Sequence, residues 1–110
     1  MKSLNRVQLI GYLGKNISVK TAKDGSLYAS LRIATDHYHK NTDGEATKKT
    51  SWHTVWIWDT GIVEKHKGCL ITGSHVMVEG FINYRDYTDK EGKYNHIAEI
   101  KATNLVDLDR

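Results

Sequence analysis

Residues 51–59 have the sequence SWHTVWIWD, an alternation with the period of two that is typical of a β-strand. One face of this strand carries His53, Val55 and Ile57, which suit a hydrophobic core. The opposite face carries all three tryptophans of the chain, Trp52, Trp56 and Trp58. Because the core needs only the aliphatic face, the indoles must cover something else. The candidates are a second layer of the fold, a subunit partner, or a flat ligand such as a nucleobase.

Length and composition limit the class of protein. The chain has 110 residues, of which 39% are hydrophobic, and we expect one domain over residues 1–110 with an ordered core of about 4–107. A single cysteine, Cys69, excludes an intrachain disulfide and favours a cytoplasmic setting. No run approaches the ~18 apolar residues of a membrane span, so no membrane association is expected. The formal net charge of +3 is a mild basic excess, compatible with a polyanionic partner.

The same alternation predicts four further strands, over residues 5–13, 27–36, 75–87 and 93–106. Residues 61–70 have the only helix-compatible pattern, with Thr60 as the expected cap. The polar stretch 37–50 is predicted to be a loop. Within the last strand, alternation breaks at residues 97–100, where we expect a bulge or a change of face.

This order of elements predicts the fold. Five strands with one short helix between the third and the fourth is the arrangement of an OB-fold, an all-β, five-stranded Greek-key barrel. Gly11 and Gly14 lie where a strand bends sharply at a barrel corner. A small β-sandwich of another topology would give a similar strand pattern, so the pattern alone leaves that alternative open.

Five short motifs resemble those of bacterial single-stranded DNA-binding proteins. Residues 5–14, NRVQLIGYLG, are similar to the family's opening N-x-V-x-L-x-G-x-L-G, and residues 51–55 to its W-H-x-V motif. Residues 33–35 (IAT), 78–80 (VEG) and 85–89 (RDYTD) resemble the family's second strand, fourth strand and following hairpin. The five motifs occur in the family's order across nearly the whole chain. The resemblance implies an OB-fold without enzymatic activity that binds single-stranded DNA in replication, recombination or repair.

The resemblance also implies positions for aromatic side chains that stack on DNA bases. These platforms would be Trp52 in the W-H-x-V motif, Trp58 six residues later, and Tyr87 in the hairpin after the fourth strand. A further family platform aligns with His39, and the aromatic Tyr38 is its neighbour in sequence. Each such contact contributes about 1–3 kcal/mol and tolerates any base.

Trp56 lies between two of these positions, where it would be either a further platform or a shield for its neighbours. Single-strand binders also need cations along the phosphates. The candidates on the outer row or the flanking loops are Arg32, Lys40, Lys48, Lys49 and Arg85.

The resemblance extends to assembly but not to a recruitment tail. The family forms homo-oligomers, most often tetramers, and we expect a tetramer here with a dimer as the alternative. Family members commonly continue into an acidic tail that recruits replication and repair proteins. This chain ends at residues 107–110, DLDR, so that recruitment is not expected. The expected location is the cytoplasm, in association with the nucleoid.

Two other classes of function are alternatives to DNA binding. The tryptophan face could dock a protein partner, as in a module related to the primosomal N protein or to a mobile-element accessory protein. Enzymatic motifs such as Gly-x-Ser-x-Gly or a phosphate-binding glycine loop are missing from the sequence. His37 and His39 alternate onto one face, but no spacing supplies the remaining ligands of a metal site, so neither a metal nor a cofactor is expected.

Overall fold

The computed structural model describes residues 2–110 and confirms the all-β class. Its elements are β1 Val7–Leu13, β2 Ser18–Thr21, β3 Leu27–Lys40, β4 Ala46–Ile57, α1 Thr60–His66, β5 His75–Thr88 and β6 Tyr94–Asp107. The short helix lies between the third and fourth long strands, as predicted. Within residues 2–110, no helix has the length and apolar character needed to cross a membrane.

The strands close into the predicted OB-fold barrel. They are hydrogen-bonded in the order β1-β5-β6-β4-β3, and the ring closes where Tyr12 and Leu13 of β1 pair with β3. β4 and β6 run parallel, whereas the other neighbours are antiparallel. β2 follows the bend after β1 and pairs with the start of β3. This closed ring excludes the alternative of a two-sheet sandwich.

The core of the barrel consists of the inward-facing aliphatic residues of the alternating strands. Leu31, Ile33, Val55 and Ile57 are fully buried, and Val63 of α1 covers one end of the barrel. Burying each such side chain contributes about 1.5–3 kcal/mol.

Gly11 permits the closure of the ring. A Cβ atom at this position would lie 2.2 Å from the carbonyl oxygen of Ala34. Only glycine therefore lets β1 pass so close to β3.

The prediction of a loop over residues 37–50 was wrong. β3 and β4 continue as an antiparallel pair out to the Lys40–Ala46 register, and only the tip of the hairpin is a turn. The side chain of Asn41 orders this tip by accepting hydrogen bonds from the backbone N–H groups of Asp43 and Glu45, each at 3.0 Å. All side chains between residues 36 and 50 are exposed. Neither face is buried there, so the sequence carries no hydrophobic alternation that would have revealed the strands.

The helix prediction needs a correction at both ends. α1 ends at His66 rather than at residue 70, and its cap is Asp59 rather than Thr60. The Asp59 carboxylate accepts a hydrogen bond from the N–H of Ile62 at 3.1 Å, which satisfies a donor of the first turn. The Thr60 hydroxyl instead accepts a hydrogen bond from the N–H of Leu27.

The irregularity predicted at residues 97–100 lies elsewhere. The ladder between β5 and β6 shifts register at Glu79 and Gly80, which pair with Asn104 and Ala102, so Thr103 is the additional residue. Gly80 is required at this bulge, because a Cβ atom there would lie 1.9 Å from the carbonyl oxygen of Lys101.

Candidate nucleic-acid interface

The outer face of β3 and β4 carries the tryptophans. Trp52 and Trp56 lie opposite Ala34 and Ser30 of β3, while Val55 between them points into the core. Trp58 follows directly after the end of β4. Trp52 is 49% exposed and Trp58 is 53% exposed, so both rings are open to a ligand.

Trp52 is held between a glycine and an arginine. A Cβ atom at Gly14 would lie 2.3 Å from the Cζ3 atom of the indole, so the ring packs directly on the backbone of that residue. The guanidinium of Arg32 lies 5.9 Å from the ring centroid and donates a hydrogen bond to the hydroxyl of Thr54 at 2.8 Å. A shallow groove of about 340 Å³ is lined by Gly14, Lys15, Arg32 and Trp52. The arrangement places cations beside a fixed aromatic face.

Trp58 belongs to a second aromatic cluster. Its ring stacks on Tyr28 with centroids 4.4 Å apart and planes inclined by 10°, and Trp56 lies 6.5 Å away. These rings form one wall of a groove of about 320 Å³, whose polar side is formed by Asn83, Arg85, Glu99 and Lys101. Tyr28 was not among the aromatic positions that the resemblance implied. The signal that could have identified it is its place in the same outer row as Arg32.

A buried carboxylate lies under this groove. Glu99 is only 5% exposed, and its Oε2 atom accepts a hydrogen bond from the indole nitrogen of Trp56 at 2.6 Å. The Nε of Arg85 donates to Oε1 at 2.8 Å, and its guanidinium also lies 5.3 Å from the ring of Tyr87. The hydrogen bond from Arg85, supported by that from Trp56, holds the pKa of Glu99 below its ordinary value. Arg85 is therefore part of an ion pair as well as a neighbour of Tyr87.

Tyr87 extends the aromatic row onto β5. It is 42% exposed and shares the alternating row of Asn83 and Arg85, whose side chains line the second groove. The three aromatic positions implied by the resemblance thus all have accessible rings, with Trp52 and Trp58 lining the two grooves and Tyr87 next to Arg85.

The remaining candidate DNA contacts lie on the distal part of the β3–β4 hairpin and point to two opposite faces. The unbroken register pairs Tyr38 with Lys48 and His39 with Thr47. By strand alternation, Tyr38 shares the face of Arg32 and Trp52, whereas His39 lies on the reverse face.

The lysines of the hairpin divide in the same way. Lys40 and Lys48 lie on the tryptophan side, and Lys49 lies on the reverse side opposite His37. His37 and His39 approach each other with ring centroids 6.5 Å apart. Among residues 2–110, no group of three histidine, cysteine, aspartate or glutamate side chains is placed to hold a metal ion.

His53 lies at the junction of the core and this face. Its Nε2 atom is 2.8 Å from the hydroxyl of Thr35, so the ring is hydrogen-bonded at the edge of the core. Burial, with a further contribution from the charge of Arg32, lowers the pKa of His53 below its ordinary value. The ring therefore favours its neutral form.

A closed OB-fold barrel with exposed aromatic rings and neighbouring cations on one face defines a nucleic-acid-binding class of protein. Comparison with known proteins identifies the particular family. The model of the single-strand binding protein family matches residues 4–108, and the chain belongs to this family. Its members are binding proteins rather than enzymes, which confirms the expectation that the chain has no catalytic activity.

Individual relatives agree with this assignment. The chain is 37% identical to single-stranded DNA-binding protein 1 of Xylella fastidiosa over 106 residues, which cover 96% of the chain and 77% of the relative. It is 31% identical to the single-stranded DNA-binding protein of Rhizobium meliloti, covering 89% of the chain and 57% of that protein.

Solved structures show the same architecture. The Plasmodium falciparum SSB in complex with single-stranded DNA superposes with a TM-score of 0.90 at 28% identity, covering 98% of this chain and 97% of the other. The single-stranded DNA-binding protein of Thermus aquaticus matches with a TM-score of 0.83 over 96% of this chain and 50% of its own length. At 24% identity, that second likeness supports the fold alone.

Proposed function

We propose that this protein binds single-stranded DNA with little sequence preference, in replication, recombination or repair. The observation that carries the proposal is the row of accessible aromatic rings on one face of an OB barrel, with cations beside them. Family membership and the structural likeness to an SSB–DNA complex support it. Every base has a π-face, so stacking on such a row tolerates any sequence.

The individual residues take two roles in this proposal. Trp52, Trp58 and Tyr87 stack on successive bases, and Tyr38 provides a further platform in preference to His39. Tyr38 is preferred because it shares the face of Trp52. The phosphates are neutralised by the cations on that face, Arg32, Lys40 and Lys48. Lys49 lies on the reverse side and contributes only to the overall positive potential of the protein.

We further propose that the protein is a homo-oligomer, most simply a tetramer. Within the described residues, β1 pairs with β3 only at Tyr12 and Leu13, so its edge over residues 7–11 is free for a second copy. The outer face of the same sheet exposes Ile10 and Tyr12, each by more than half, beside Val106. Such an apolar sheet face is suited to a self-complementary contact.

Light scattering tests the assembly. We expect a mass of four chains at micromolar concentration, and a smaller species for the Ile10→Asp variant, because the new carboxylate would be buried in the contact. The exposed substitution Thr47→Ala, on the distal hairpin, is the matched control. A monomeric wild-type protein would contradict the proposal.

The alternative of a protein-docking module is not favoured. A docking face tolerates mixed charge, whereas the groove beside Trp52 is lined by two cations, Arg32 and Lys15. The proposed location is the cytoplasm, where the chromosome provides the ligand.

Intrinsic tryptophan fluorescence tests the DNA-binding proposal directly. Titration with oligo(dT) should quench the indole emission strongly, whereas a duplex of matched length should cause little change. The affinity should fall with salt by a log–log slope of about −0.7 for each phosphate neutralised. If oligo(dT) neither binds nor quenches, the tryptophan face belongs to another partner.

A further inference from the structure

Glu99 is an unexpected residue to find under a face that binds a polyanion. It lines the groove beside Trp58 and also a further groove, of about 420 Å³, that Arg32, Trp52 and Tyr84 border, and it is the only carboxylate lining either of these two among the described residues. An isolated buried carboxylate would be costly, so its contacts determine what it does. Each of its oxygens is engaged, one by the guanidinium of Arg85 and the other by the indole of Trp56.

These contacts fix two side chains of the interface. The 2.6 Å hydrogen bond anchors the nitrogen edge of Trp56, which sets the orientation of the ring that forms the groove wall beside Trp58. The two contacts to Arg85, at 2.8 and 3.4 Å, bind its guanidinium to both carboxylate oxygens and hold it over the ring of Tyr87. Glu99 thereby connects two aromatic positions on different strands, β4 and β5.

The same contacts cancel a positive charge. Arg85 and Glu99 form a neutral pair at the polar side of the groove, in contrast to Arg32, whose side chain, within residues 2–110, donates only to the uncharged hydroxyl of Thr54. Lys101 also lines this groove, so Arg85, Lys101 and Glu99 together leave one net positive charge there, where two would remain without the carboxylate.

We propose that Glu99 is a positioning residue that fixes Trp56 and Arg85 beside the groove of Trp58 and keeps Arg85 from pairing with a phosphate. This inference rests on the proposed binding of single-stranded DNA. Arg85 then acts as a support for Tyr87 and not as a phosphate ligand, while Arg32 neutralises a phosphate.

The salt dependence of oligo(dT) binding tests this division of roles. In Glu99→Gln the charge of Arg85 is released, and the log–log slope should become steeper by about 0.7, the value of one additional phosphate. In the double variant E99Q/R85Q the neutral pair is removed as a unit, and the slope should equal that of the wild type. The control variant Arg32→Gln should lose about 0.7 of slope.

Each outcome is decisive for one of the two proposals. A slope for E99Q/R85Q that falls as far as that of R32Q would mean that Arg85 neutralises a phosphate, and would overturn the inference. An unchanged slope in E99Q would also overturn it. A wild-type protein that does not bind oligo(dT) would instead remove the proposed function. A merely structural role of Glu99 would lower the unfolding temperature without moving the slope.

A measurement on the wild-type protein avoids dependence on the folding of variants. In a ¹H–¹⁵N spectrum, the indole N–H of Trp56, assigned with the Trp56→Phe variant, should exchange slowly with solvent because Glu99 accepts it. It should stay protected after oligo(dT) is added. Rapid exchange in the free protein or in the complex would show that Glu99 does not hold the ring, and would overturn the inference.

Discussion

The barrel half and the distal half of the β3–β4 hairpin are built from the same two strands but differ in what holds them. In the barrel half, residues 29–34 and 52–57, one face is buried in the core and the other carries the tryptophans. In the distal half, residues 36–50, both faces are exposed. The distal half is held by its backbone ladder and by a few side-chain contacts, such as that between Asp36 and Thr50 at 2.7 Å.

Because of this difference, the stability of the fold depends on the barrel half, whereas the distal half contributes mainly to ligand contact. A two-stranded ribbon without a buried face is marginally stable in water, so the distal half should open at a much lower free energy than the barrel. It nevertheless continues the face of Trp52 outward through Tyr38 and Lys48. Substitutions in the barrel core should therefore change unfolding, and those on the tryptophan side of the distal half should change DNA binding.

The largest expected effect is on the barrel. Ile33→Ala removes a fully buried side chain that packs with Leu31 and Val55, and should lower the free energy of unfolding by about 2–5 kcal/mol. Urea denaturation followed by circular dichroism measures it. The matched control Thr47→Ala, in the distal half, should change this free energy by less than about 0.5 kcal/mol. Equal losses in both variants would show that the two halves unfold as one unit of similar packing.

The second effect concerns the outer face of the barrel half. Trp52→Ala should weaken oligo(dT) binding by about 1–3 kcal/mol, roughly 5- to 150-fold, because one stacking platform is lost. Fluorescence anisotropy of a labelled oligonucleotide measures the affinity without relying on the tryptophan signal. Ile71→Ala, an exposed apolar residue away from this row, is the control and should bind normally. If W52A bound with wild-type affinity, Trp52 would not be part of the DNA interface.

A third, smaller effect distinguishes the two faces of the distal half. Tyr38→Ala should weaken binding about fivefold, the lower end expected for one base–aromatic contact, because a free ribbon must become ordered on the DNA. His39→Ala should leave the affinity unchanged, since His39 lies on the reverse face. The same anisotropy titration compares both variants. If only H39A lost affinity, the DNA would contact the face of His39 and not the face of Tyr38.

This hairpin also shows where prediction from sequence stops. In the barrel half the buried face makes the alternation of Val55 and Ile57 with the tryptophans visible, and the order of the strands and the helix followed from such patterns. In the distal half no face is buried, so the same strands have no hydrophobic period and residues 37–50 resembled a loop. Backbone hydrogen bonds leave no mark on composition when both faces are solvated.

The candidate site likewise contains residues that sequence motifs indicate and one residue that they do not. Trp52, Trp58 and Tyr87 could be predicted because short motifs around them resemble a family. Glu99 could not, since its contacts with Trp56 and Arg85 join strands that are distant in sequence, with separations of 43 and 14 residues. Sequence reasoning treated Arg85 as a free cation because a charge is visible in a sequence and its partner is not.

The smallest expected effect is a loss of stability of the barrel at acid pH. Burial, with a smaller contribution from the charge of Lys65, lowers the pKa of His66 below its ordinary value, although Asp107 opposes the shift. The unfolded chain therefore binds more protons than the native state as the pH falls below about 6.5. Stability should accordingly be full at pH 7.5 and decline toward pH 5, as followed by the urea midpoint. His66→Asn should lose less stability over this range, with the remainder due to groups such as His53, whose pKa is also lowered. An equal decline in H66N and the wild type would show that His66 is not responsible, and would place the acid sensitivity outside the contact between α1 and the barrel.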